Sequence, residues 1–379
     1  MNVNDILCGG KEKCCGCGIC SYVCPQNAIT MVDDKEGFSY PHVDQTKCIE
    51  CGKCVKACAF QVNNEERLTK DCASIYAVKH KSGAVRMKSR SGGFFTAISE
   101  VVLENGGVVY GAKAITPREV RHIRVHTKED RDTLRGSKYV QSNIIEVLPQ
   151  LERDLKDGFD VLFTGSPCQC AAVLRAFPEH KYPKLILCEF LCHGVPSKKL
   201  LGDYLAWVEK KHKMKVLEFE FRDKETHAWE SHVERIKLSE KTIYSRRYAN
   251  LFCENQCLRP SCYACPYAQR KRVSDFVIGD YWEIDKVAPS FNDRCGISVV
   301  FVNGSHAEEL FKITEPTIDF INTSETPPTH YNLERPTERP DNREQFWEDY
   351  DKGFTYISRK YGGYDFLRKM RYKLVDHID

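Results

Sequence analysis

The sequence predicts a protein of mixed α+β and α/β class: a small cysteine-rich domain, an α/β domain with a largely parallel sheet, and a helical C-terminal tail. Three observations predict it: cysteine is clumped, apolar runs alternate with amphipathic stretches after residue 71, and prolines interrupt the chain near its end. The expected divisions are 1–70, 71–322 and 323–379. A length of 379 residues suffices for several domains, and 42% hydrophobic with 29% charged residues is the composition of a folded chain rather than a disordered one. The formal charge of +3 gives no basis for a nucleic-acid partner. No apolar run approaches the 18 or so residues of a membrane span. The start, Met1 to Asp5, lacks a charged-then-apolar leader, so a cytoplasmic, reducing location is expected.

Of the 20 cysteines, eleven lie within residues 1–72 and none within 73–167. In a reducing compartment such clumps read as metal ligands rather than disulfides. Cys14, Cys17, Cys20 and Cys24 repeat the spacing of Cys48, Cys51, Cys54 and Cys58, each C-x2-C-x2-C-x3-C, at an offset of 34 residues. Two-residue spacers let three thiolates of one loop grip three irons of a [4Fe-4S] cubane. The fourth cysteine leads away to the other cluster. The expected sets are Cys14, Cys17, Cys20 and Cys58 for one cluster, and Cys48, Cys51, Cys54 and Cys24 for the other. Zinc prefers separated pairs of ligands and suits this doubled triplet poorly. Ala59 stands where a second proline is usual. Cys8, Cys15 and Cys72 fall outside the spacing and receive no role. The block resembles a bacterial-type two-cluster ferredoxin over residues 8–62.

In the second region, helices are expected at 94–104, 144–156, 168–177 and 196–211, and strands at 107–114, 159–165 and 184–190. Alternation at this pitch implies parallel strands whose following loops gather at one edge, where ligands bind. Cys168 and Cys192 follow successive strands and would share that edge, and Cys262 and Cys265 form a C-x2-C pair. These four are enough for a third cubane. Spacing equally allows a local set of Cys253, Cys257, Cys262 and Cys265, a zinc ion in place of iron, or Cys168 as a lone redox thiol at a helix N-terminus. Cys170 and Cys188 read as core. Ser91-Gly92-Gly93 before a helix is able to present backbone N–H groups to a pyrophosphate, or to serve as a plain cap. Residues 138–142 are rich in hydrogen-bonding groups. His193 and His227 are candidate proton carriers, and no residue stands out as catalytic.

From about residue 73 to 302 the sequence resembles the coenzyme F420 hydrogenase/dehydrogenase beta-subunit family. The resemblance rests on Ser91-Gly-Gly93, Gly107 to Gly111, Gly136 to Ser142, Gly165-Ser-Pro-Cys-Gln169, Cys192-His-Gly-Val-Pro-Ser197, Cys262-x2-Cys265 and Ser274-Asp275 to Trp282. Arg90 and Ser166 depart from the usual small residue and threonine. The resemblance implies FAD, a further [4Fe-4S] cluster beside it, and a two-electron small-molecule carrier, deazaflavin-like or other. It favours Cys168, Cys192, Cys262 and Cys265 as ligands. As flavin contacts it implies Ser91, Gly92, Gly93, Lys138, Tyr139, Gln141, Ser142, Gly165 and Gln169. The expected activity is that of an iron–sulfur flavoprotein oxidoreductase with a soluble redox partner, either ferredoxin-like or part of another oxidoreductase. A non-enzymatic electron-transfer subunit, or a reductase associated with polysaccharide biosynthesis, is the alternative. In the tail, four prolines between 327 and 340 suggest a linker. Residues 346–351 and 364–379 look helical, and 367–374 forms a basic amphipathic run.

Overall fold

The computed structural model describes residues 3–4, 9–61, 70, 72 and 74–364. Cys8, nearly all of the expected helix 364–379 and the basic run 367–374 lie outside the described residues. Among the described residues no helix is long and apolar enough to cross a membrane.

The N-terminal block is built on one hairpin, β1 (Ile29–Asp33) and β2 (Ser39–Val43), paired antiparallel between the two cysteine loops. The remaining strands are β3 (Ser74–His80), β4 (Val108–Thr116), β5 (Glu119–Val125), β6 (Val161–Gly165), β7 (Leu185–Phe190), β8 (Val216–Glu220), β9 (Glu234–Leu238), β10 (Thr242–Ser245), β11 (Phe276–Asp280), β12 (Ser298–Val302) and β13 (Ile318–Asn322). Eight of these form one sheet in the order β13-β3-β12-β11-β7-β6-β4-β5. Its centre, β4-β6-β7-β11, is parallel, as the strand–helix alternation implies. Both flanks are antiparallel, so the sheet is mixed. Central strands read as near-continuous apolar runs because both faces are covered. β12 is buried at all five positions, whereas edge strand β5 alternates buried with partly exposed ones.

Side chains of β6 and β7 alternate between the two faces. Leu162 and Ile186 join the helices Phe94–Glu104 and Ser305–Thr314 on one side. Val161, Phe163, Leu185 and Leu187 join Leu148–Lys156 and Pro167–Ala176 on the other. Cys15, Cys17, Ile19, Ala57 and Ala59 belong to this second core, so the cysteine block is packed onto the large sheet. A third core lies between the three-stranded sheet β8-β9-β10, the helix Lys198–His212 and residues 346–361. The tail reaches back to the cysteine block through Arg343, which pairs with Glu36 at 2.6 Å.

At the carboxyl end of β7, buried Glu189 pairs with buried Arg272 and accepts a 2.8 Å hydrogen bond from Ser274. Arg272 also donates to the carbonyls of Tyr267 and Gln269, tying the 265–275 segment to the sheet edge. Removing one partner of a buried pair strands the other charge. Glu189→Leu is therefore expected to cost about 3–5 kcal/mol in urea unfolding, and Glu189→Leu with Arg272→Leu to recover most of it.

Candidate functional site

Each cysteine loop turns into a one-turn helix through a glycine in the left-handed region, Gly18 (φ 77°) before Ile19–Tyr22 and Gly52 (φ 70°) before Lys53–Lys56. An L-residue with a side chain adopts that conformation at a cost, which explains glycine at both. The 34-residue repeat is thus a structural repeat, with Cys20 and Cys54 buried at matching helix positions. Cys24 lines one small cavity with Cys48, Cys51 and Cys54, thiols of the other loop. Conversely, Cys58 approaches the first loop. Burial, then the neighbouring Cys17, pushes the Cys58 thiol up to about 12. Cys20 is driven up by burial and then by Cys17, Cys14 and Cys58. Both sets of sequence-chosen thiols are therefore brought together, each with its fourth member crossing over. The Gly16 N–H donates to Cys14 Sγ at 3.4 Å, partly offsetting the burial that raises that thiol, and the Ala28 N–H donates to Cys24 Sγ at 3.3 Å.

Among the described residues no group of three or more His, Cys, Asp or Glu side chains is placed to hold a single metal ion. A four-iron cluster puts its thiolates on four separate irons and needs no such convergence.

The second thiol group stands at the carboxyl edge of the large sheet. Ser166 caps the helix Pro167–Ala176 in a reciprocal capping box with Gln169. Cys168 sits in the first turn, its Sγ 3.2 Å from Ser166 Oγ. Cys192 follows β7, which pairs parallel with β6, so both thiols leave by the same edge. The short helix Pro260–Ala264 carries Cys262, with Cys265 at its cap. These four thiols line one cavity, and the Val195 N–H donates to Cys262 Sγ at 3.4 Å. Cys253 and Cys257 do not line it. Cys253 is exposed, and Cys257 is buried in the aromatic core with its thiol donating to the Leu251 carbonyl at 3.4 Å. A fifth thiol, Cys15, does line the cavity and was without a role in the sequence. It lies beside Cys168, which it holds lowered while its own pKa is raised. Only the packing of the N-terminal loop against the edge reveals it.

A larger cavity of about 300 Å³ opens on the other side of the same loops. Ser91, Gly93, Lys138, Tyr139, Gln141, Ser142, Gly165 and Gln169 all line it. Gly92 does not. A Cβ there would fall 2.1 Å from the Val78 carbonyl oxygen, so this glycine closes the turn onto β3 and β12 rather than facing the cavity. Lys138 donates to the carbonyls of Leu134 and Arg135 at 2.7 and 2.8 Å, and burial pushes its ammonium down to about 7. Tyr139 stacks on Phe252 with centroids 4.9 Å apart. Gln169 donates to the Ser142 carbonyl at 2.9 Å. The cavity also exposes His122 and Thr164, which the sequence did not single out, and Arg90 and Asp280, which the resemblance touched without giving them a role. His122 stacks on Phe163 and meets Ser142 Oγ and the Thr164 carbonyl through its two ring nitrogens, and burial lowers it to about 4. His227 bonds Asp223 at 2.8 Å and lines neither cavity. His193, Gly194 and Val195 line both.

Two crossed thiol sets fused to a sheet whose edge gathers more thiols define an iron–sulfur electron-transfer protein of the oxidoreductase type. Residues 159–325 match the family described as the C terminus of the coenzyme F420 hydrogenase/dehydrogenase beta subunit, and residues 13–62 match the 4Fe-4S dicluster domain. The cysteine block is similar to one component of the Na(+)-translocating ferredoxin:NAD(+) oxidoreductase complex of Acetobacterium woodii, 46% identical over 50 residues. It is also similar to NADH-quinone oxidoreductase subunit I 2 of Geobacter metallireducens, 42% identical over 53 residues. Each alignment covers 13% of this chain, and 14% and 40% of the respective relative. A chain of the F420-reducing [NiFe] hydrogenase complex from Methanosarcina barkeri shares the fold. Its TM-score is 0.50 at 18% identity, covering 78% of this chain and 97% of that one.

The crossed arrangement makes a prediction that iron counting checks. Cys24→Ala combined with Cys48→Ala should lose no more iron than either change alone, about four atoms per chain. Cys24→Ala combined with Cys20→Ala should lose about twice that, because those two thiols belong to different sets.

Proposed function

We propose that this chain is an iron–sulfur flavoprotein oxidoreductase that exchanges electrons between a two-electron carrier at FAD and one-electron carriers. The carrier would be a deazaflavin of the coenzyme F420 class or a related hydride donor. In this reading residues 1–70 carry two [4Fe-4S] clusters on the eight repeated cysteines. Residues 71–322 hold FAD and a third cluster on Cys168, Cys192, Cys262 and Cys265, and residues 323–379 form a linker and tail.

The observation that carries the reading is the wall shared by the two cavities. His193-Gly194-Val195 faces the larger cavity on one side and the thiol-lined one on the other. Two redox groups on either side would be one residue's thickness apart. Bound flavin supplies the exchange between two-electron and one-electron carriers, and the clusters supply one-electron transfer.

The donor sets fit these groups. The larger cavity combines apolar walls with a few converging polar groups, as small-molecule sites do, at the lower end of their usual size. Gly93 (φ 96°) opens the helix Phe94–Glu104 without a side-chain cap, leaving first-turn N–H groups for an anion. Lys138 and Ser142 add donors. His193 bonds Asn255 Oδ1 at 2.6 Å and also meets the Tyr331 hydroxyl, which fixes the ring in the wall. The Thr337 hydroxyl donates to the His193 carbonyl, so the tail helps hold that wall.

The test is an anaerobic preparation with iron, zinc, sulfide and flavin counted per chain, followed by reduction with a deazaflavin hydride donor. About twelve irons and one flavin, bleached by the donor, are expected. Eight irons without flavin would leave an electron carrier and remove the enzyme. Cys168→Ala and Cys192→Ala should each lose about four irons, and Cys253→Ala and Cys257→Ala none.

Flavin affinity should depend on pH through Lys138. With its pKa lowered to about 7, Lys138 is an ammonium below that pH and neutral above it. An anionic dinucleotide favours the ammonium, so binding takes up a proton above pH 7. Affinity should be flat below that pH and fall by up to about tenfold per unit above it. Lys138→Met should bind more weakly at pH 6 and lose the slope, as read by fluorescence titration.

A further inference from the structure

Arg259 is only 2% exposed and is among the largest fully buried side chains of the molecule. Its guanidinium ends on neutral oxygens: Gln141 Oε1 at 3.1 Å, the Cys14 carbonyl at 3.3 Å and the Ser39 carbonyl at 3.2 Å. It also lies over the rings of Phe38 and Tyr40, with centroids 5.0 and 4.9 Å away. No carboxylate among the described residues bonds to it. Asp33, which feels its charge, is half-exposed and pairs with Lys198 at 2.7 Å. A buried charge without a counter-charge costs several kcal/mol, and three hydrogen bonds to neutral oxygens do not remove that cost.

The missing negative charge is available from two directions. The first cysteine loop closes directly onto the guanidinium, so that a Cβ on Gly16 would lie 2.4 Å from Arg259 Nη2. On the other side, Arg259 lines the edge cavity together with Cys168, Cys192, Cys262 and Cys265. Its charge opposes the burial that raises Cys14 and Cys262, and adds to the lowering that a hydrogen bond with Cys15 gives first to Cys17 and Cys168. It does not line the cavity of Cys24, Cys48, Cys51 and Cys54.

We propose that Arg259 is the shared counter-ion of two iron–sulfur clusters, the one on Cys14, Cys17, Cys20 and Cys58 and the one at the sheet edge, and that it raises the reduction potential of both. The edge-cluster half rests on the function proposed above. Four thiolates outweigh the charge of a [4Fe-4S] core, so each site is anionic and gains one further negative charge when it accepts an electron. A fixed cation in a buried, low-dielectric position stabilises the reduced form more than the oxidised one. Arg259 is a positioning and tuning residue. It also links the two sites mechanically, since Gln141, which accepts from Arg259 Nε, donates to the Cys15 carbonyl at 2.7 Å.

The experiment is a potentiometric titration of the full-length protein, reduced stepwise and read by electron paramagnetic resonance, for the parent and for Arg259→Gln, Arg259→Met and Arg259→Lys. Cys24→Ala and Cys168→Ala identify the signals by deleting one each. Both neutral variants should lower the reduced-to-oxidised ratio of the two neighbouring clusters about tenfold at a given potential, a shift of about 59 mV for a one-electron couple. The Cys24-containing cluster should be unmoved, and Arg259→Lys should retain most of the parent potential. Gln keeps hydrogen-bond donors, so it reports on charge even where Met fails to load iron. Unchanged potentials in the Gln variant overturn the proposal. So does an equal shift in Lys and Gln, or an equal shift of all three clusters. A parent protein with no third signal removes the proposed function and the edge half of this inference. The Cys14-containing cluster still tests the other half.

Discussion

When β6 and β7 pair in parallel, the segments that leave them must leave by the same edge, and the site exists because they do. One exit starts a capped helix and carries Cys168. The other runs on as Cys192-His193-Gly194-Val195. β11 pairs parallel with β7, and Cys262 and Cys265, in the chain that precedes it, line the same cavity as Cys168 and Cys192. The Glu189–Arg272 pair fastens this incoming segment to β7. Loosening any of the three strands would separate the thiols and open the wall between the two cavities.

Crowding thiols in a dry interior has an electrostatic cost that the surroundings only partly offset. Burial, the largest cause at both, drives Cys58 and Cys265 up to about 12, and neighbouring thiolates push in the same direction. Backbone N–H groups aimed at Cys14 and Cys262, together with the buried guanidinium of Arg259, act the other way. In the dicluster domain a metal charge supplies the rest, because a coordinated thiol is deprotonated outright. The fold of the cysteine block and the chemistry it hosts are in this sense one problem.

The two ends of the chain converge on that problem. The cysteine block shares a core with the helix Pro167–Ala176 rather than hanging from a linker. The tail buries Phe346 completely, pairs Arg343 with Glu36 and, from within the proline stretch, bonds the His193 carbonyl through Thr337. A segment that looks like an appendage by composition therefore helps to hold the wall of the site.

The sequence by itself determined what is local. The cysteine triplets, their glycine turns and the apolar runs of β6 and β7 are encoded within a few residues, because loop ligation and strand burial act over that range. The helix 94–104 was legible from its period alone. The flanking strands β3, β12 and β13 were not, since antiparallel pairing across more than 200 residues leaves no local period to read. Gly92 showed the limit of motif reasoning: its sequence context suits an anion site, but its missing Cβ makes room for β3 and β12. Only the tertiary structure decided that Cys15 joins the edge thiols, that Cys253 and Cys257 do not, and that Arg259 meets Cys14 across 245 positions. Such contacts come from packing whole elements together, and no spacing along the chain records them.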